Sequence, residues 1–146
     1  MARYTCRIVT ERSREQVFDH LSDFRTVAQW DPGVVSSELI GDDPGDGAVY
    51  DVVTSNGGRE LRFRYRTVEF DRPARFTVRG RRFPFTSLDT VTVETVDEMT
   101  EVVYDARLML SFPLSLGDRL LREPFRRIGD AAAAGLADTL DGEWKR

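Results

Sequence analysis

The sequence predicts an α+β fold: a curved antiparallel sheet of seven strands closed by one long C-terminal helix. Three observations predict it. Residues 2–9 and most of residues 34–112 alternate apolar with polar at the strand period. Two short helical stretches separate the first strand from the rest. From about residue 115 the spacing becomes helical, and the chain ends in one long amphipathic run. The element order is therefore one strand, two helices, six strands and a helix.

Residues 2–9 (ARYTCRIV) form the first strand, with Tyr4, Cys6 and Ile8 on one face. Ser13 followed by Gln16 reads as a capping box, in which the hydroxyl takes the Gln16 amide proton. Val17, Leu21, Phe24 and Ala28 follow at helical spacing, with a bend near Ser22–Asp23 and a stop before Pro32. Residues 34–40 are the second strand, GDDPGDG (41–47) a loop, and residues 48–54 the third strand. Asn56-Gly57 is the strongest hairpin signal, since a type I′ turn needs positive φ at both central positions. In residues 59–70, Leu61, Phe63 and Tyr65 share one parity and Val68 and Phe70 the other. A β-bulge near Arg66–Thr67 reconciles them and bends the strand. Residues 75–80, 83–96 and 101–112 supply three more strands. A helical turn is expected around 115–122. The main helix then runs from about 124 to 140, with Pro124 at its first position and Gly142 as a stop.

The 146 residues suit one domain spanning 1–146, long enough to bury roughly two thirds of its unfolded surface. A net charge of −4 argues against nucleic acid as the partner. Of 21 basic residues only Lys145 is lysine; the arginines are interspersed with acids, and Arg62, Arg64 and Arg66 read as the wet face of a strand. The one cysteine, Cys6, excludes an internal disulfide. MARYTCRIVT has no apolar signal core, and no stretch approaches the ~18 apolar residues of a membrane span. A cytoplasmic protein without membrane insertion is the expectation.

Laid out this way, the chain resembles the START-like (SRPBCC) superfamily, and within it the polyketide cyclase/dehydrase and lipid-transport family. The resemblance rests on VFDHLSDF (17–24), WDPGVVSSELIG (30–41), Gly47, YRTVEFDRPARF (65–76), LDTVTVE (88–94), TEVVYDARLML (100–110) and REPFRRIGDAAAAGLADTL (122–140). It implies a helix-grip fold, with seven antiparallel strands wrapped around the long helix and a cavity between them. The superfamily includes carriers, receptors and cyclases, so the resemblance is specific for fold and not for activity.

Parity then places Phe63, Tyr65, Phe83, Phe85, Asp89, Tyr104 and Leu108 on the inner face of the sheet. The helix adds Phe125, Ile128, Ala132 and Leu136. Such an aromatic wall with few polar groups suits a small hydrophobic ligand, although any half-buried sheet alternates this way. Trp30 either covers the cavity mouth or packs at a helix end. The run Ala131–Ala134 with Gly135 either leaves room beneath the sheet or serves close helix packing. Asp89, a carboxylate at an inward position, either meets a ligand or pairs with an arginine such as Arg79. Tyr65 and Tyr104 are candidate hydrogen-bond donors, and with Asp89 they are the only candidates for proton transfer. His20 has no second histidine to build a metal site or an acid–base pair, and the acidic loop Asp42, Asp43, Asp46 lacks calcium-loop spacing. No cofactor or metal is expected. The leading expectation is binding or carriage of a small apolar or amphipathic molecule. An aromatase/cyclase acting on a polyketide is the alternative. A protein-interaction module with a filled interior is the third reading, which a cavity below ~100 Å³ favours.

Overall fold

The computed structural model describes residues 1–146. The strands are β1 (Ala2–Thr10), β2 (Val34–Ile40), β3 (Val49–Asn56), β4 (Arg59–Asp71), β5 (Arg75–Arg82), β6 (Phe85–Val96), β7 (Met99–Leu110) and β8 (Glu143–Lys145). The α-helices are α1 (Arg14–Ser22), α2 (Val27–Trp30) and α3 (Arg122–Thr139). Phe24–Thr26 and Leu114–Leu121 form 3-10 segments. One antiparallel sheet runs in the order β2-β3-β4-β5-β6-β7-β1-β8. Six strands form a meander, and β1 then zips onto β7 along its whole length, Ala2 opposite Leu108 and Thr10 opposite Thr100.

The sheet has eight strands where seven were expected. The extra one pairs Glu143–Lys145 with Arg7–Val9. Three residues are too few to show a strand period. Its position follows from how α3 ends. Asp141 takes a left-handed φ of 50°, and the Gly142 N–H donates to the Ala137 carbonyl at 2.8 Å, turning the chain back along β1.

Several boundaries move for local reasons. The β3–β4 turn is Gly57-Gly58, with φ of 62° and 78°, and Asn56 is instead paired with Arg59. Two adjacent glycines take the left-handed region without strain, so the turn sits one residue later than expected. The β4 bulge falls between Thr67 and Glu69, leaving Val68 as the extra, exposed residue. Thr67 stays buried opposite Val78, and Phe70 stays inward opposite Phe76. Strand β6 begins at Phe85, because Pro84 has no N–H to give to a ladder. Strand β7 begins at Met99, paired with Val96 across the turn Asp97-Glu98. Helix α3 begins at Arg122, so Pro124 is its third residue. There it breaks no intrahelical bond, since first-turn amides have no acceptor. The Ser13 cap is formed, its hydroxyl accepting the Gln16 N–H at 3.2 Å.

The core lies between the concave face of the sheet and the helices. Phe18 of α1 is fully buried, edge-on to Phe70 at 5.3 Å and to Phe76 at 5.7 Å. Helix α3 is seated by small residues. The Trp30 carbonyl lies so near Gly135 that a Cβ there would overlap it. The Tyr4 ring covers Gly129 in the same manner. The C-terminal half of α3 is packed solid, with Ala133, Leu136 and Leu140 buried. Its N-terminal half carries the exposed Pro124 and the half-buried Phe125 and Ile128.

In an ordinary helix, Gly→Ala gains about 1 kcal/mol. Gly135→Ala is expected to reverse that sign and destabilise by roughly 1–3 kcal/mol, because the Trp30 backbone must retreat. Urea denaturation checks it; a rise in midpoint would show that α2 and α3 are not in close contact.

Candidate functional site

Beneath the N-terminal half of α3 the sheet and helix do not meet. They enclose a cavity of about 240 Å³. Strand β4 supplies Leu61, Phe63 and Tyr65 to its wall, and β7 supplies Tyr104, Ala106 and Leu108. Helix α3 supplies Pro124, Phe125, Ile128, Gly129 and Ala132. Phe24 and Val27 close it from the helical turn side, and Tyr4 of β1 from beside α3. The exposed Asn56 and Pro124 stand at its rim.

Local sequence explains the shape. Gly80 pairs with Tyr65 across β4 and β5, and a Cβ at Gly80 would collide with the Tyr65 ring. The missing side chain lets the ring lie flat over the neighbouring strand. Tyr65 then leans on Phe24 at 5.0 Å and on Phe63 at 6.0 Å. The small residues Ala106 and Ala132 leave volume that larger ones would fill.

Four polar groups carry the chemistry. Asp89 is only 6 % exposed, sits opposite Val78 and Ala106, and makes no ion pair. The Ser87 hydroxyl donates to its Oδ1 at 3.4 Å. Burial, reinforced by the charge of Asp31, pushes its pKa up to about 7. Asp31 follows α2 and also lines the cavity; its Oδ1 accepts the Gly33 N–H at 2.9 Å. Burial raises its pKa to about 6 despite that bond. The Tyr65 and Tyr104 phenols are raised far above their usual range, first by burial and then by the Asp89 charge. Both are therefore neutral hydrogen-bond donors at neutral pH.

Residues 1–141 match the model of a family described as polyketide cyclase / dehydrase and lipid transport. The chain belongs to that family. No curated protein matches it in sequence. Solved structures similar to it include TTHA0849 from Thermus thermophilus, 17 % identical with a TM-score of 0.76, covering 94 % of this chain and 96 % of that one. A START superfamily protein from Mycobacterium smegmatis is 12 % identical with a TM-score of 0.70, covering 97 % and 98 %. DR_A0006 from Deinococcus radiodurans is 10 % identical with a TM-score of 0.72, covering 96 % and 95 %. At these identities the likeness is one of fold: the START-like helix-grip architecture.

Within that family fold, the cavity wall contains Phe63, Tyr65, Phe85, Asp89, Tyr104 and Leu108 from the sheet, as parity implied. It also contains Phe125, Ile128 and Ala132 from the helix. Three expected lining residues are elsewhere. Phe83 is 76 % exposed in the β5–β6 turn, because the ladder starts only after Pro84. Leu136 is buried in the tightly packed half of α3, beyond the gap. Trp30 stands behind the wall, edge-on to Tyr104 at 5.3 Å, and covers no mouth. Arg79 does not neutralise Asp89: it pairs with Leu88 and so faces the other side of the sheet. His20 lies outside the cavity wall. Asp105, of opposite parity to Tyr104, ion-pairs with Arg3 at 2.9 Å on the outer face.

Asp31, Tyr4 and Ser87 are wall residues that went unassigned in the sequence. Tyr4 and Ser87 share the inward parity of Ile8 and Asp89, so a signal was present. Asp31 lies in an irregular turn, where no period reports direction.

Asp89 and Asp31 hold their protons to higher pH in the folded chain than in the unfolded one. The folded state therefore binds more protons between about pH 4 and about pH 7. Stability falls as pH rises through that window. Asp89→Asn is expected to remove its share of the fall, by roughly 1.4 kcal/mol for each pH unit of late titration. The variant and parent should match at pH 4, and the variant should be the more stable at pH 8. Urea midpoints at both pH values decide it; equal midpoints at pH 8 would mean that Asp89 is well solvated.

Proposed function

We propose that residues 1–146 form one ligand-binding unit, which holds a small, mostly apolar molecule in the space between α3 and the sheet. The carrying observation is the cavity of about 240 Å³ with its aromatic wall. An apolar cavity of ~150 Å³ holds a benzene ring. By proportion this one takes on the order of ten heavy atoms, the size of a bicyclic aromatic. That favours an aromatic metabolite or a short acyl group over a complete membrane lipid. Burial of apolar surface at ~25 cal/mol per Å² drives binding. The phenols of Tyr65 and Tyr104 and the carboxyl of Asp89 orient the guest. The carrier is proposed to work in the cytoplasm; no helix in it is long and apolar enough to cross a membrane. The third reading required a filled interior, and about 240 Å³ is well above its ~100 Å³ limit.

A second reading has its own support. A carboxyl with a pKa of about 7 is matched to general acid–base work at neutral pH, and two neutral phenols share its cavity. The family's cyclase/dehydrase chemistry would use the cavity to fold a poly-β-ketone while Asp89 moves the proton. Product ratios of a reactive poly-β-ketone, compared with and without protein, test this; unchanged ratios would remove the reading for that substrate.

For the binding proposal, 2-naphthol fluorescence titration is the measurement. The parent protein should bind it saturably. Ala132→Phe and Ala106→Leu, which add bulk inside the wall, should each weaken binding at least tenfold while unfolding stays cooperative. Unchanged affinity in both variants would place the probe outside the cavity and overturn the proposal.

A further inference from the structure

The cavity has a charge character that its apolar wall hides. The chain carries 21 basic residues, and none of the 23 residues lining the cavity is Arg, Lys or His. Two of them are aspartates, on separate elements: Asp31 after α2 and Asp89 in mid-β6. Neither makes an ion pair, although eleven ion pairs occur elsewhere, nine of them using arginine. Sheet parity keeps it so: every arginine beside Asp89 in the register, such as Arg79 and Arg107, points outward. The other titratable groups facing this space are the phenols of Tyr4, Tyr65 and Tyr104. The Tyr4 hydroxyl is already engaged, donating to Asp130 at 2.8 Å. Helix α3 and strand β3 contribute no charged group to the wall.

From this geometry we infer, resting on the ligand-binding reading above, that the cavity selects a compact aromatic or alicyclic amine, whose ammonium group sits between Asp31 and Asp89. A hydroxyl has one proton to donate and no charge, so it serves one carboxylate and leaves two like charges unrelieved. A primary ammonium has three donors and serves both. Its hydrocarbon part lies against Phe63, Tyr65 and Phe85, and the ring faces nearby favour a cation further. An anionic guest would face two carboxylates with no counter-cation in reach. Burial raises the pKa of both carboxyls, and the Asp31 charge adds to it at Asp89; an ammonium beside them would oppose both effects.

One scaffold in three charge states tests the inference: 1-naphthylmethylamine, 1-naphthalenemethanol and 1-naphthoate, titrated calorimetrically into the parent protein at pH 8. The amine should bind at least tenfold tighter than the alcohol, and the carboxylate weakest. Amine affinity should rise at least fivefold from pH 5 to pH 8 as the two carboxyls ionise, while alcohol affinity stays level. Asp89→Asn should erase the preference for the amine, lowering amine affinity by a larger factor than alcohol affinity; Asp31→Asn should lower the amine-to-alcohol ratio by a smaller factor. If alcohol or carboxylate binds as tightly as the amine, the charge inference fails and the cavity proposal stands. If none of the three binds, both fail.

Discussion

The architecture depends on the close approach of α2 to α3, where the Trp30 carbonyl occupies the space that a side chain at position 135 would need. That contact fixes one end of the long helix against the body of the protein. Leu136 and Leu140 then seal the same end, and β8 folds back along β1 to hold it. The other end is left standing off the sheet. The cavity lies beside that end, lined by Pro124, Phe125, Ile128 and Ala132. Tight packing and open volume are thus two outcomes of one arrangement: glycine and alanine bring the helix close at Gly135 and leave room at Ala132.

Charge is partitioned as sharply as volume. Antiparallel pleating sends neighbouring side chains to opposite faces. Arginines at 64, 66, 79, 81 and 107 all fall on the convex side, where water and partners such as Asp51 and Asp105 receive them. The same alternation that sends them out sends Asp89 in. A carboxylate isolated this way costs stability. It shares the mostly apolar wall with the phenols of Tyr65 and Tyr104. Tyr65 owes its place to Gly80 across the strand pair, so the site is supported by a residue that never touches the cavity.

Much of this was legible in the residues before any coordinates. Parity put Phe63, Tyr65, Phe85, Asp89, Tyr104 and Leu108 on the inner face, and the cavity wall contains all six. Each misplacement has its own local cause. Phe83 is next to a proline that ends the ladder. Leu136 has the right helical face but the wrong height along the axis, and periodicity carries no information about height. Trp30 ends α2 and packs there, one of the two readings its position allowed, and Asp31 sits in the turn that follows, where no period reports direction. The turn at Gly57-Gly58 and the bulge at Val68 each lie one residue later than expected.

Legible from the residues alone were the element order as far as α3, the antiparallel pairing, the inward parity of β4, β6 and β7, and the family resemblance. These follow from local periods, turn residues and caps, which act over a few residues. Packing in three dimensions left a gap under the first half of α3, brought Asp31 to share that space with Asp89, and kept every arginine away from both. Those facts depend on distances between elements far apart in the chain, and such distances are set by how side chains pack, which no local pattern encodes.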